Sequence, residues 1–500
     1  MNLLFSQILN HKEAAALPSL RESGGLPALV SGLSPVHRAN LAAALYGALG
    51  LPLFAVCADD TAAETFARDL AAMTGEEVSV LGMRDYVFYP AEAASRQSEQ
   101  KRLAALYRLA KGESALTVAS VSGLMQRTLP PKALLQTAFT ITDGASVPPE
   151  DVEDALLRCG YQRSPQVEGP GQFARRGGIL DFFSPADREP VRIEFWGDDV
   201  DSMSFFDVQS QRRTDRLESC TVLPAVEALS ALYPGGAAAL AKEIQRFADS
   251  YQKRRKTELA ATLAANLRAD AEKLENAVPL SDLDRYLPLL YGEASALDYI
   301  PAEAVVFLDQ PGRCAERARA YEKQLSEDVG ELQKRGMIAV SAEGFRVSNE
   351  ALFRHIAEYP LYMADAFTVG RAPVPPRTLT SILAKQLPSY AGSAQTACDD
   401  VAAYLKQDCR VVVLAADERR ASVLQSFFNE RGVQAPVFRE LTRLPESGRC
   451  AITIGAVSAG FEYPALRLAV LTDSQLLRAR GKQAKAAKNS VFRRFWAKVR

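Results

Sequence analysis

The chain has 500 residues, which at about 150 residues per domain predicts three or four domains. Hydrophobic residues make up 48% and charged residues 24%, a balance that is typical of globular proteins and excludes a disordered or fibrous chain. Lys and Arg number 59 against 60 Asp and Glu. The net charge of -1 excludes a uniformly basic nucleic-acid coat protein and leaves room for a local basic patch.

One uncharged stretch, from Leu41 to Ala58, has the length of a membrane span. Gly50 and Pro52 within it instead predict the end of a helix and the start of a strand. The first residues lack the basic start of a signal peptide. The seven cysteines are far apart, with no C-x-x-C pair, which argues against a zinc site or a disulfide framework. We therefore expect no metal, no membrane contact and a cytoplasmic location.

In the first 130 residues, predicted strands alternate with predicted helices. The strands are 28–31, 51–57, 76–81 and 115–121, and the helices are 39–49, 61–73 and 98–111. This alternation indicates βαβ units and a parallel sheet.

From about Phe139 the pattern changes to strands with little helix between them. One helix at 149–158 precedes strands at 172–183, 191–196 and 200–206. Such a succession of strands predicts an antiparallel α+β module. Residues 236–280 then form a long helical region with an amphipathic pattern.

The C-terminal part returns to alternation after a strand at 304–308 and a proline-rich hinge around Pro373. The predicted helices are 394–406 and 419–431, and the predicted strands are 409–415, 450–454 and 466–471. Residues 478–500 carry nine Lys and Arg and no acid. They predict a basic helical segment, which is either a solvated linker or a contact with DNA.

A strand-to-helix junction at residues 32–39 has the position of a phosphate-binding loop. Such a loop has the pattern G-x-x-x-x-G-K-[ST], in which the lysine contacts phosphate and the hydroxyl holds Mg²⁺. Gly32 matches the first glycine, but His37, Arg38 and Ala39 stand where the second glycine, the lysine and the hydroxyl belong. The junction is either a degenerate nucleotide site or an ordinary strand–turn–helix. In both cases we expect no nucleotide hydrolysis here.

The strand that ends at Asp309 has a Walker-B-like place in the chain. Asp309 could hold a metal ion, but Gln310 cannot activate water as a glutamate would. An aspartate at a strand end is commonly structural. Together with the loop at 32–39, it favours an ATPase that has lost its activity.

Residues 191–196 alternate between apolar and polar side chains. The period of two places Val191, Ile193 and Phe195 on one face of a strand, and Arg192, Glu194 and Trp196 on the other. Arg176 and the pair Gly177 and Gly178 precede this strand. Because Arg and Trp are enriched among binding hot spots, the polar face either binds a partner or is covered by the same chain. Base stacking is a weaker third reading, since acidic residues surround the single indole.

Three runs in this region resemble the module shared by the excinuclease subunit UvrB and the bacterial transcription-repair coupling factors. They are Gln172–Pro185, Pro190–Ser202 and Phe206–Arg212. Shorter similar runs are Tyr89–Pro90, Gln100–Leu106, Thr117–Gln126, Gly460–Pro464 and Leu466–Leu477. UvrB keeps a functional phosphate loop, so the degenerate loop at 32–39 favours the coupling factors.

The resemblance implies an adaptor that binds UvrA through Arg176, Arg192 and Trp196, with Trp196 standing where the family more commonly has phenylalanine. It implies no cofactor in this chain. It also implies a longer protein, in which a domain following residue 500 binds RNA polymerase. Further motor domains would bind ATP and magnesium and move on DNA.

With this resemblance, we expect a multidomain α/β protein. A degenerate RecA-like parallel domain, split in sequence, would carry an inserted antiparallel UvrB-type domain and be followed by a small α/β domain and a basic helical linker. The expected limits are 1–137 and 214–345 for the split domain, 138–213 for the inserted one, 346–475 for the third and 476–500 for the linker.

Two alternatives stay open. One is a UvrB-type, DNA-dependent ATPase that binds damaged DNA, which requires that Arg38 can replace the lysine of the phosphate loop. The other is a nucleic-acid-binding protein that acts through residues 478–500.

Overall fold

The computed structural model describes residues 3–89, 96–367, 372–390 and 394–476. The basic segment 478–500 lies outside the described residues, as do Pro90 and Leu477 of the runs that carry the resemblance. Within the described ranges, no helix is both long enough and apolar enough to cross a membrane.

The N-terminal part has the predicted alternation of strands and helices. Its helices are α1 (Leu3–Ser6), α2 (Pro35–Leu49), α3 (Asp60–Thr74), α4 (Gln97–Ala110), α5 (Val121–Met125) and α6 (Pro131–Thr137). Its strands are β1 (Ala28–Ser31), β2 (Leu53–Cys57), β3 (Ser79–Leu81) and β4 (Leu116–Ser120). Gly50, in the left-handed conformation, ends α2 before β2 begins, so the uncharged stretch is a helix end and a strand as predicted.

Helix α2 begins four residues before its predicted start at Ala39. Pro35 occupies the first turn, where a proline is favoured because its missing N–H would have no partner in the helix. His37 and Arg38 are therefore helical residues rather than part of a loop.

The middle part is built mostly of strands. They are β5 (Phe139–Thr142), β6 (Gln162–Arg163), β7 (Gln172–Arg176), β8 (Ile179–Phe182), β9 (Val191–Trp196), β10 (Asp199–Phe206), β11 (Arg213–Leu217) and β12 (Ser219–Val222). One helix, α7 (Pro149–Arg158), lies between β5 and β6. The predicted strand 172–183 is two strands, because Gly177, with a positive φ of 61°, and Gly178 turn the chain between β7 and β8.

The next part begins with two long helices. In chain order the elements are α8 (Gly236–Arg254), α9 (Glu258–Glu275), α10 (Leu287–Tyr291), β13 (Val305–Asp309), α11 (Pro311–Lys334), α12 (Asn349–Ile356), β14 (Leu361–Ala364) and β15 (Thr378–Ser381). The side chain of Thr257 caps α9 by accepting a hydrogen bond from the N–H of Ala260, which separates α9 from α8.

The C-terminal part again alternates strands with helices. Its elements are β16 (Lys385–Gln386), α13 (Ala394–Lys406), β17 (Arg410–Ala415), α14 (Glu418–Asn429), β18 (Val437–Phe438), β19 (Cys450–Ile454), β20 (Phe461–Tyr463), β21 (Leu468–Thr472) and α15 (Asp473–Leu476).

The strands of the described residues form three large sheets and a two-stranded antiparallel sheet of β5 and β12. The first sheet has the order β15-β1-β14-β13-β2-β4-β3 and is parallel throughout. The second has the order β11-β10-β9-β8-β7-β6 and is antiparallel except for the β6–β7 pair. The third has the order β16-β20-β21-β17-β19-β18. The predicted multidomain α/β class with an antiparallel module is confirmed.

The first sheet draws strands from distant parts of the chain. Strands β14 and β15 belong to it, although the sequence assigns residues 346–475 to a separate α/β domain. The domain limits themselves stay a prediction.

One hydrophobic core joins the first and third sheets across α2. It contains Leu41 and Leu45 of α2 together with Val412, Leu414 and Phe461 of the third sheet. Residues 36–45 of α2 are all buried, as expected for a helix that is covered on every side. The residues at the start of α2 are therefore enclosed by two α/β units.

Candidate functional site

The glycine of the phosphate-loop position is closed in by a neighbouring strand. Gly32 has a φ of 88°, and a Cβ at this position would lie 2.2 Å from the carbonyl oxygen of Ile382. The N–H of Ile382 donates to the carbonyl oxygen of Ser31 at 2.9 Å, which fixes this contact. The carbonyl group of Ile382 therefore occupies the space beside Gly32.

His37 lies beneath the third sheet rather than beside a ligand. Its ring is fully buried and makes edge contacts with Phe461 at 5.4 Å and with Tyr463 at 5.0 Å between ring centroids. The Nδ1 atom is 2.7 Å from the hydroxyl of Ser34. Burial lowers the pKa of His37 to about 4. The ring is therefore neutral near pH 7 and serves as packing.

Arg38 and Asp309, the two residues predicted from the defective motifs, lie together. They form a buried ion pair through Nε of Arg38 and Oδ1 of Asp309, with exposed side-chain fractions of 3% and 6%. Arg38 also donates to the carbonyl oxygen of Leu33 at 2.9 Å. Its guanidinium is thus used by protein groups. Ala39, the next residue, is buried and offers no hydroxyl for magnesium.

A cleft of about 640 Å³ remains beside this ion pair at the end of the parallel sheet. Arg313 and Arg317, which line it, both contact Oδ2 of Asp59, at 3.3 and 3.2 Å. The arginines of the cleft are therefore paired with carboxylates. Together with the Ile382 carbonyl group beside Gly32, these pairs leave no arginine of the cleft without a protein partner for a magnesium-bound triphosphate.

The predicted two-faced strand is confirmed in β9. Val191, Ile193 and Phe195 are buried against α7, whose Val152 and Leu156 belong to the same core. The opposite face of the sheet carries residues from three neighbouring strands. We call these residues, Arg176, Ile179, Arg192, Glu194 and Trp196, the hairpin face.

Arg192 is held inside the hairpin face rather than standing free. Its Nε and one terminal nitrogen donate to the two carboxylate oxygens of Asp181 at 2.7 and 2.8 Å. Its guanidinium carbon lies 4.7 Å from the ring centroid of Phe206. The hydrogen bonds to Asp181 raise the pKa of Arg192. The paired and stacked guanidinium, with 14% of its side chain exposed, is fixed in one orientation.

Trp196 and Arg176 are the open part of the hairpin face. The Trp196 side chain is 82% exposed, which is the largest value among the large hydrophobic residues described. Arg176 is exposed and donates to the carbonyl oxygen of Pro165 at 2.8 Å. In the described residues, therefore, no other part of the chain covers the indole.

The sequence missed the two residues that hold Arg192. Asp181 pairs with Arg192 across β8 and β9, and Phe206 supplies the ring beneath it. The sequence analysis did not locate the turn between β7 and β8. The register of β8 against β9, which places Asp181 opposite Arg192, depends on where that turn falls.

A second buried charge cluster joins the antiparallel module to the parallel sheet. Glu227, which is fully buried, contacts Nε of Arg84 at 3.1 Å and Nε of Arg102 at 3.0 Å. Arg84 also makes two hydrogen bonds with Asp284 at 2.8 and 2.9 Å. The backbone N–H of Glu227 donates to Glu99 at 2.7 Å. No short motif in the sequence marks this cluster, because its members lie up to 200 residues apart.

The fold and the hairpin face define a class of protein: an α/β protein with an antiparallel module that exposes an aromatic and basic surface. Two family models match the chain. The UvrB interaction domain matches residues 139–227, and the MFD, D3 domain matches residues 404–476. The matches include the whole hairpin face and most of the third sheet.

Curated relatives point to one family. Transcription-repair-coupling factors of Bacillus subtilis (strain 168) and Myxococcus xanthus are each 28% identical to the chain, over 91% and 90% of its length. The transcription-repair-coupling factor of Staphylococcus haemolyticus (strain JCSC1435) is 23% identical over 91% of the chain. The resemblance to the transcription-repair coupling factors is thus confirmed. The chain spans 38% to 39% of the length of these relatives.

Proposed function

We propose that this chain is the adaptor region of a transcription-repair coupling factor, which recruits UvrA to RNA polymerase stalled at DNA lesions. The observation that carries the proposal is the 82% exposed Trp196 on the same face of the sheet as Arg176, within the residues matched by the UvrB interaction domain. An exposed indole in a soluble surface commonly marks an interface, because burying it removes a large apolar area from water.

The hairpin face has the composition of a binding centre. Trp196 supplies the apolar anchor, Arg176 an accessible guanidinium and Arg192 a fixed one. Tryptophan and arginine are enriched among the residues that dominate binding energy. The turn at Gly177 and Gly178 keeps β7 and β8 close to β9, since a Cβ at Gly178 would lie 2.9 Å from the carbonyl oxygen of Phe195.

We propose further that residues 1–500 act as a binding region and do not hydrolyse ATP. The pairing of Arg38 with Asp309 and the filled space at Gly32 support this, because a triphosphate needs both a free cation and open backbone N–H groups. In the complete factor, ATP and magnesium would act in motor domains that move on DNA. A domain following residue 500 would bind RNA polymerase in the cytoplasm.

Titration of the purified chain with UvrA tests the adaptor proposal. We expect Trp196→Ala to weaken binding by about 2 kcal/mol, or about thirtyfold, as for a central anchor. Phe367→Ala is the matched control, because Phe367 is 80% exposed and lies outside the hairpin face. It should leave the affinity unchanged. The proposal fails if the parent chain does not bind UvrA, or if the two variants bind equally well.

A further inference from the structure

Four consecutive cations lie at the end of α8 and in the turn that leads to α9. Lys253, Arg254, Arg255 and Lys256 are all exposed. Among the described residues, none of the four is within ion-pair distance of a carboxylate. The nearest acids on α8 are already used, since Glu243 pairs with Arg246 and Asp249 pairs with Arg268. We call the four cations the basic tip.

A fifth cation approaches the basic tip from another helix. Arg335, at the end of α11, is exposed, and the next residue, Gly336, accepts a hydrogen bond from the side chain of Asn266 on α9 at 2.9 Å. Gly336 also lies against the α9 residues Leu259 and Leu263. The end of α11 is thus fixed to the first turns of α9, which follow the basic tip directly.

An aromatic pair orients part of the basic tip. The guanidinium carbon of Arg255 lies 5.2 Å from the ring centroid of Tyr251, and one of its nitrogens donates to the Tyr251 hydroxyl at 3.3 Å. Tyr251 in turn packs against Phe247, with 5.8 Å between the ring centroids. Arg255 is therefore held at the surface in a preferred direction instead of moving freely in solvent.

The dipoles of α8 and α9 favour the position of only two of the four cations in the basic tip. Lys253 and Arg254 lie in the last turn of α8, where positive charge is favourable. Arg255 and Lys256 lie past that helix and directly before Thr257, the N-cap of α9, where positive charge is unfavourable. Four neighbouring cations also repel one another. Only part of this arrangement stabilises the fold, and the part that does not points to an external anion.

We propose that the basic tip, with Arg335, binds the phosphate backbone of duplex DNA. A polyphosphate neutralises several cations at once and leaves their long side chains solvated, which suits two lysines and three arginines in exposed positions. An acidic protein is a poorer fit, because lysine is depleted in protein interfaces. The basic tip lies at the end of α8 and in the turn before α9, outside the residues that match the UvrB interaction domain.

Fluorescence anisotropy with a labelled 30-base-pair duplex of arbitrary sequence tests this proposal. In the full chain, the four residues of the basic tip are changed together to glutamine. Each phosphate contact contributes about 0.9 to the slope of log affinity against log salt concentration. We expect the slope to become shallower by about 2 to 4, and the affinity at low salt to fall by at least about tenfold.

Two further variants control for net charge and for side-chain identity. The first replaces four exposed cations elsewhere by glutamine: Arg68, Lys132, Arg319 and Arg443. The second is Lys253→Arg with Lys256→Arg, which keeps the charge of the basic tip and should keep the salt slope. If the basic-tip variant and the dispersed variant change the slope equally, or if neither changes it, the proposal is overturned. Circular dichroism melting curves verify that each variant is folded.

Discussion

The start of α2 and the hairpin face each hold an arginine against an aspartate, with opposite consequences. Arg38 and Asp309 form a buried ion pair that borders the cleft at the end of the parallel sheet. Arg192 and Asp181 lie at the edge of an open surface next to Trp196. An arginine–aspartate pair thus occupies the guanidinium at the degenerate phosphate-loop position, whereas on the hairpin face it fixes the guanidinium beside the surface where we propose that UvrA binds.

The largest loss of stability is expected when the buried ion pair of Arg38 and Asp309 is broken. Arg38→Met leaves the Asp309 carboxylate buried without its partner, and removal of one member of a buried pair typically costs about 3–5 kcal/mol. Urea unfolding followed by circular dichroism should show this loss in the free energy of unfolding.

A double variant sharpens the same comparison. Arg38→Met with Asp309→Leu removes both charges, so most of the lost stability should return. Single and double variants of equal stability would contradict a paired role for Arg38. ATP turnover by the parent chain that disappears in Arg38→Met would instead favour the UvrB-type ATPase.

The next effect concerns pH. Because the pKa of His37 falls from 6.5 in the unfolded chain to about 4 in the fold, the unfolded chain binds an extra proton between these values. The contribution of His37 to the free energy of unfolding is complete above pH 6.5. It is lost as the pH falls toward 4, and the loss is about 3 kcal/mol over the whole interval.

Unfolding measured between pH 7 and pH 4.5 tests this contribution. In the His37→Leu variant, the free energy of unfolding should fall by roughly 2–3 kcal/mol less over that interval than in the parent chain. His355→Gln is the matched control, since His355 is 32% exposed and lies outside the joint between the sheets. Equal pH dependence in parent and His37→Leu would show that the buried ring does not control the joint.

The smallest effect is expected at the open surface. Arg192→Ala should weaken UvrA binding by about 2 kcal/mol or more, the scale for truncating a charged interface residue with a buried partner. The change also leaves Asp181 unpaired, so part of the effect comes from the fold. Calorimetric titration and urea unfolding are both needed.

The variant Arg192→Ala with Asp181→Ala separates the two roles. If Arg192 contacts UvrA, the double variant regains stability but stays weak in binding. If Arg192 only supports the sheet, the double variant recovers both. A single variant with unchanged affinity would remove Arg192 from the binding site.

The hairpin face was largely predictable, because alternation in residues 191–196 is a local pattern that fixes which side chains share a face. The packing around the phosphate-loop position was not predictable. Its degeneracy is visible in His37 and Ala39, but the rings that cover His37 come from positions 461 and 463, over 400 residues away. No local periodicity predicts such a contact. The basic tip shows the same limit, since Arg335 joins it only through the packing of α11 on α9.

Glu227 is the last residue of the matched interaction domain, and its carboxylate is gripped by Arg84 and Arg102 of the parallel-sheet unit. The C-terminal end of the module is therefore fixed to the parallel-sheet unit by buried ion pairs. If a partner binds the module, these ion pairs would pass a load from the module to the parallel sheet. A repair protein captured at Trp196 would in this way follow every displacement of the factor that carries it.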